Sequence, residues 1–319
     1  TYESMMGIIG QKYSFEKNAY ENNFIFDYEE FELLESMNQA GKLINFYVSD
    51  DYKIISEHPN VNYKIQTYLT EKLWGVATDL AEGGGETFNF VYIPYELHFP
   101  LICGYHRRKP ESKGFTDVGL EDMSSFIEDQ FQDCINYVDQ EFEYYRGFFS
   151  EDMINVFFSD HSQVVYDNEK QKPYFQYYND LDKCTHVTFF ATGKGLPSGE
   201  YDQLVSLIDF NSIVESLTLH KKVNTPNKKE IKYQYYNIHN NRVRELARKH
   251  KVEEYIDGMQ SIVSEDLIYT ITATGKEEVC DRLDIRTDIK DTERGQAFIK
   301  YIKENYDLAF PEFLSIHYT

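Results

Sequence analysis

The run Ile154-Asn155-Val156-Phe157-Phe158 stops abruptly at Ser159-Asp160-His161, so an apolar stretch ends with a carboxylate and an imidazole side by side. Where a chain turns sharply after a strand, an adjacent Asp and His can both ligate one divalent cation. In open α/β sheets, groups that act on ligands gather just beyond the carboxyl ends of the strands. Asp160 and His161 stand at such an end. Taken alone, the pair has a plainer reading too, with Asp160 capping a helix and His161 on the surface.

The elements that must position this pair are visible as hydrophobic patterns. Residues 43–50, 87–95, 153–159 and 185–192 read as strands, with nearly continuous apolar character. Residues 28–42 and 201–219 read as amphipathic helices. The clearest helix spans 120–145, where Ile127, Phe131, Cys134, Val138 and Phe142 recur at helical spacing. Apolar strands alternating with helices predict the α/β class, with a mostly parallel sheet covered by helices on both faces. The loop Glu82-Gly83-Gly84-Gly85-Glu86 lacks the spacing and the Lys of a phosphate loop, so it reads as a turn. The Lys-rich segment 221–234 reads as a linker. Beyond it, 267–274 and 277–285 flank Gly275-Lys276 as a hairpin, and 293–306 reads as a closing helix. This layout divides the chain into an α/β core over 1–222 and, over 223–319, a linker with a small antiparallel sheet and helix.

Composition limits the chemistry. The chain has 319 residues, 41% hydrophobic and 16% aromatic, enough for a sizeable core. A formal net charge of -22 argues against nucleic acid or an anionic membrane as partner, because no basic field is present to displace counterions. An anionic substrate would need a local metal or a small basic pocket. No apolar run approaches the roughly 18 residues of a membrane-spanning helix, and residues 1–20 carry no signal-peptide pattern. Cys103, Cys134, Cys184 and Cys280 are scattered, which reads as buried thiols, although two disulfides stay open as an alternative. With the lack of a leader, they favour a cytoplasmic location.

Five short elements, in order, resemble the sulfatase branch of the alkaline phosphatase superfamily. They are His98-Phe99-Pro100, Ser159-Asp160-His161, His186-Val187, the turn-forming Pro197-Ser198-Gly199, and Val205-Ser206-Leu207-Ile208-Asp209. Members of that branch carry a His-x-Pro element, a strand ending in Ser-Asp-His-Gly, a His-Val-Pro or Arg-Val-Pro strand, a Pro-Gly turn and a helix of the vSLiDixPTil type. The resemblance runs over about residues 28–219, and the 273–289 segment resembles the family's small second sheet. It implies an alkaline phosphatase-like fold. Asp160 and His161 would be metal ligands for a divalent ion (Mn, Mg, Ca or Zn), and His98 and His186 would face the transferred group or its leaving oxygen. Asp209 would cap and brace structure. The opening Thr1-Tyr2-Glu3-Ser4 is similar to the family's nucleophile turn, with Thr1 at the nucleophile position. A metal and a helix start would both favour the alkoxide there.

The chain also departs from the family. Ser162 stands where Gly is usual, Thr188 where Pro is usual, and 46–53 lacks the Lys and His that many sulfatases use to hold sulfate. The family's first strand, with its acidic metal ligands, would precede Thr1. Sulfatases convert Cys or Ser to formylglycine, which Thr cannot form, so Thr1 implies phosphoryl rather than sulfuryl chemistry. The implied function is a metal-dependent hydrolase or phosphotransferase acting on a small-molecule or glycan ester. The alternative is a domain that keeps the fold and serves as a binding or scaffolding module.

Overall fold

A computed structural model of the chain describes residues 2–13, 25–49, 54–83, 85–94, 96–97, 124–161, 186–235, 254 and 258–312. In chain order the elements are α1 (Tyr2–Ile8), α2 (Glu32–Gln39), β1 (Leu43–Val48), β2 (Val61–Ile65), α3 (Leu69–Glu82), β3 (Thr87–Val91), α4 (Ser124–Arg146), β4 (Asn155–Phe158), β5 (Phe189–Thr192), α5 (Phe210–His220), β6 (Glu230–Tyr235), β7 (Met259–Ser264), β8 (Leu267–Thr272), β9 (Glu277–Asp281), β10 (Asp284–Asp288) and α6 (Glu293–Asn305).

Strands β2, β1 and β3 form a parallel sheet in that order. Its two faces differ in chemistry. Ile44, Phe46 and Val48 of β1 and Phe90 of β3 join Leu33, Leu34 and Met37 of α2, Met5 and Met6 of α1, and Phe210 and Val214 of α5 in one apolar core. The face toward α3 is polar. There the Asn62 amide donates to Asn45 Oδ1 at 3.1 Å, and the Asn45 amide donates to Asn89 Oδ1 at 2.9 Å. This amide ladder matches only in the observed register, so a one-residue slip would break it as well as inverting the apolar face. The Tyr47 hydroxyl on the same face donates to Asp79 of α3 at 2.6 Å. Desolvation, with the neighbouring Asp79 carboxylate, raises its pKa.

Helix α3 lays Leu69, Lys72, Leu73, Val76 and Ala77 inward. The Glu71 carboxylate accepts the backbone N–H groups of Thr67 and Tyr68 at 3.0 and 3.2 Å, closing its first turn. Leu69, Leu73 and Ala77 meet Cys134, Tyr137 and Tyr145 of α4 in a second core. The parallel sheet is therefore covered on both faces, by α2 with α1 and α5 on one side and by α3 backed by α4 on the other.

Several sequence expectations change. Strands β4 and β5 do not extend the parallel sheet; they pair antiparallel with each other, Phe158 opposite Phe189. Their rings still reach the main core, since Phe158 lies 6.2 Å from Phe90 and 4.5 Å from Phe210. The helix expected over 28–42 is a 3₁₀ turn (Tyr28–Glu30) and then α2, because fully buried Phe31 leaves the helical region between them. Gly41, at φ +77°, ends it. Similarly, 201–206 is not helical; a 3₁₀ turn at Leu207–Asp209 leads into α5. The expected linker 221–234 contains most of β6, whose Ile231, Tyr233 and Tyr235 alternate along an edge strand.

Strands β10-β9-β8-β7-β6 form a separate antiparallel sheet. The hairpin between β8 and β9 turns at Gly275, whose φ of +86° favours glycine. Ile262, Tyr269 and Val279 pack on Ile299 and Ile302 of α6. That helix begins at Thr292, whose side chain accepts the Gly295 N–H at 3.1 Å. Thr292→Ala should therefore lower stability by about 1 kcal/mol, read as a lower urea midpoint with unchanged slope. Cys280 carries a free thiol whose pKa is pushed up to about 11, by burial first and then by Glu278, Asp288 and Asp284.

Candidate active site

The site begins with the alternation of β4. Phe158 points toward the main core, while Phe157 turns the other way, stacking on Phe190 at 4.7 Å and meeting Phe142 at 4.9 Å. With both rings anchored, the chain leaves the strand at Ser159 in a set orientation. Ser159 is held twice by the neighbouring strand. Its N–H donates to the Thr188 carbonyl at 3.0 Å, and its Oγ accepts the Thr188 N–H at 3.0 Å. This gives Thr188 a physical reason. Proline, the family's usual residue there, has no N–H to donate.

Immediately beyond the lock, the bend at Asp160 and His161 brings their side chains to one side. Asp160 Oδ2 is buried and lies 3.6 Å from His161 Nε2, and the two side chains are 20% and 17% exposed. A carboxylate oxygen and an imidazole nitrogen so placed are two donors of the kind that divalent ions from Mg to Zn accept. The residues fit such an ion as part of a ligand set. Among the described residues there is no cluster of three or more His, Cys, Asp and Glu groups that could complete it.

The other candidates are distributed as follows. His186 is exposed and precedes the Thr188 lock by two residues. The β4–β5 ladder ends with Phe158 opposite Phe189, followed by the Ser159–Thr188 bonds. His98 and Thr1 lie outside the described residues, as do Ser162, Cys103 and Cys184. Just after Thr1, α1 packs on the 207–209 turn, with Gly7 facing the Leu207–Ile208 backbone. The two segments aligned with the nucleophile turn and with the vSLiDixPTil helix thus touch. Asp209 braces this region without capping α5. Its carboxylate pairs with Lys228 at 2.6 Å, while Ser206 Oγ accepts the Ile208 N–H at 3.4 Å.

Sequence reading missed a group of charges at the carboxyl ends of β1 and β3. Lys72 is fully buried; its ammonium donates to Ser49 Oγ at 3.1 Å and to the Tyr92 carbonyl at 2.6 Å. Burial lowers its pKa to about 8, against the opposing pull of Glu96 and Glu71. The signal was available, since Lys72 falls on the apolar stripe set by Leu69, Leu73 and Val76. Elsewhere, a cavity of about 320 Å³ is lined by Tyr28, Glu29, Glu32, Glu35, Ser36 and Gln39. It contains none of the candidate residues.

The architecture has solved counterparts. A 2-O GAG sulfatase superposes with a TM-score of 0.60 at 11% identity, over 95% of this chain and 82% of its own. The phosphonate monoester hydrolase of Agrobacterium radiobacter gives 0.59 at 11% identity, over 95% and 84%. An alkaline phosphatase superfamily protein from Vibrio parahaemolyticus gives 0.52 at 9% identity, over 95% and 75%. At such identities the likeness is one of fold, and the chain has the sulfatase-like fold of the alkaline phosphatase superfamily. Neither a protein-family model nor a curated protein sequence matches it.

Proposed function

We propose that this chain is an ester hydrolase or transferase of the alkaline phosphatase superfamily, acting on a phosphate or sulfate ester with a divalent cation held by Asp160 and His161. The observation that carries the reading is the placement of Asp160 Oδ2 and His161 Nε2 3.6 Å apart, at the end of β4 in this fold. A bound cation there would offset charge on the transferred group. Thr1 is assigned as nucleophile. Its hydroxyl attacks the phosphorus in line, the leaving alkoxide departs with a proton, and water or an acceptor alcohol then resolves the phospho-threonine. His186 and His98 are assigned as donors to the ester oxygens and the leaving group. Because threonine cannot form formylglycine, phosphate esters rank ahead of sulfate esters. A glycan carrier is suggested by the likeness to a 2-O GAG sulfatase. Residues 1–222 are read as the core carrying this site and 223–319 as an accessory unit.

The second reading, a binding domain without catalysis, has one observation in its favour. Among the described residues, no third His, Cys, Asp or Glu joins the pair. Turnover separates the two readings. The protein, assayed with aryl phosphate, phosphonate and sulfate esters before and after chelation, should cleave the phosphate or phosphonate ester and lose that activity with its metal. Absence of turnover on all three esters, with Mn, Mg, Ca and Zn each resupplied, would favour the binding domain.

A further inference from the structure

The β4–β5 ribbon has two unlike faces. Phe158 and Phe189 both turn toward Phe210, at 4.5 and 6.3 Å, and Val156 packs on the same core. Strand alternation therefore turns Asn155, Phe157, Phe190 and Thr192 the other way. On that outer face the Phe142, Phe157 and Phe190 rings form a row, with centroids 4.9 and 4.7 Å apart. Phe142 belongs to the second core, whereas Phe190 at the far end of the row is 49% exposed. Among the described residues, no strand pairs with the outer edge of β5. Exposed Thr192 and its partner Asn155 border the two strand rings on one side. On the other side the Ser159–Thr188 bonds close the ladder, and Thr188 is exposed.

An exposed apolar side chain is ordinary by itself. Phe190 differs because it lies nearly parallel to Phe157, at 14°, so its ring is held in place before any ligand arrives. A fixed, flat ring bordered by hydroxyl and amide groups suits a sugar, whose C–H bonds can lie on the ring while its hydroxyls meet the border. Size argues against a protein partner. Four residues on two strands give a face about 13 Å long and about 10 Å wide, far below the roughly 800 Å² that each side of a stable protein interface buries. Charge narrows the choice further. Residues 155–158 and 189–192 carry no charge, in a chain whose net charge is -22. A nucleic-acid base would also stack on such a ring, but its phosphates would meet no basic field here.

We infer that the outer face of the β4–β5 ribbon binds the rings of a neutral stretch of glycan, with Phe190 as the stacking residue and Thr192 and Asn155 as hydrogen-bonding groups. Phe157 precedes Asp160 by three residues, about 10 Å along an extended strand. A glycan seated here therefore runs alongside the Asp160–His161 pair. The seat rests on the ester reading for its place beside a reacting group, but sugar binding needs no cleavage, so the two can fail separately.

The test is saturation-transfer NMR of the whole protein with two neutral hexasaccharides, cellohexaose and chitohexaose, each titrated to a dissociation constant. At least one should bind saturably, with the strongest transfer on its ring C–H protons. Phe190→Leu keeps apolar bulk but removes the flat face, and should weaken binding about tenfold. Phe190→Trp keeps a flat face and should stay within about threefold of wild type. Thr192→Val keeps the shape without the hydroxyl, and should weaken binding about three- to tenfold. Circular dichroism should show each variant folded, since about half of Phe190 already lies outside the packing. Lack of saturable binding by both sugars, or equal binding by Phe190→Leu, overturns the inference. A dimer seen in sedimentation and abolished by Phe190→Leu overturns it too, because a second copy then covers the face. Should Phe190→Leu not fold, Thr192→Val and Asn155→Ala carry the test, and unchanged affinity in both overturns the inference equally. A wild type that binds sugar through Phe190 yet cleaves no ester would end the enzymatic reading and leave the seat in place.

Discussion

Asp160→Ala should lower kcat/KM for the ester substrate by about 10²- to 10⁴-fold. A bound cation supplies several kcal/mol of charge stabilisation to the transferred group, and each 1.36 kcal/mol corresponds to about tenfold in rate. The same substitution should remove the bound divalent ion, measured by metal analysis after dialysis, while circular dichroism shows the fold retained. The side chain stands beyond the end of β4, outside the aromatic packing of Phe157 and Phe158. Activity within threefold of wild type, or full metal retention, would place the cation elsewhere. Asp160→Asn gives the sharper comparison, because it keeps shape and one acceptor oxygen while removing the charge.

The largest effect on stability should come from Phe46→Ala, at about 3–5 kcal/mol. Phe46 is fully buried at the centre of β1. Its ring stacks on Phe90 at 4.8 Å, meets Phe31 edge-on at 6.4 Å and lies 6.0 Å from Tyr63. Phe90 in turn meets Phe158, the residue that aims the Asp160 bend. Removing the Phe46 ring leaves a cavity under the row of rings that connects the parallel sheet to β4. Chemical denaturation should show the midpoint falling sharply, and the folded fraction should also lose ester turnover as the row relaxes. A loss below about 1 kcal/mol would mean that the surroundings collapse into the space.

The comparison of sequence with structure shows where pattern reading carries information. Strands β1, β3 and β4 were legible because each is an apolar run, and α4 because five residues repeat at helical spacing. Strand β2 went unread: Asn62 and Lys64 interrupt its apolar residues, and Ile65 at its end is exposed, as suits an edge strand. Helix α3 was passed over although Leu69, Leu73, Val76 and Ala77 mark its buried stripe. Lys72 on that stripe is a charge whose ammonium is hydrogen-bonded by Ser49 and Tyr92, residues distant in sequence. Strand β6 was taken for a linker because its lysine-rich approach masks the alternation of Ile231, Tyr233 and Tyr235. The antiparallel pairing of β4 with β5 had no local signal, since the strands are separated by a long segment and not by a hairpin turn. For the site, the adjacency of Asp160 and His161 was readable. The lock of Ser159 on Thr188, which accounts for the missing proline, required the neighbouring strand.

The account stands most directly on where a divalent ion binds. Crystals of the protein soaked in Mn²⁺ and measured at an X-ray energy chosen for the anomalous signal of manganese would locate it. The prediction is a strong peak about 2.0–2.2 Å from a carboxylate oxygen of Asp160 and an imidazole nitrogen of His161, absent from crystals of Asp160→Ala. An ordered Mn²⁺ ion bound away from both residues, or a peak that survives unchanged in Asp160→Ala, would contradict it.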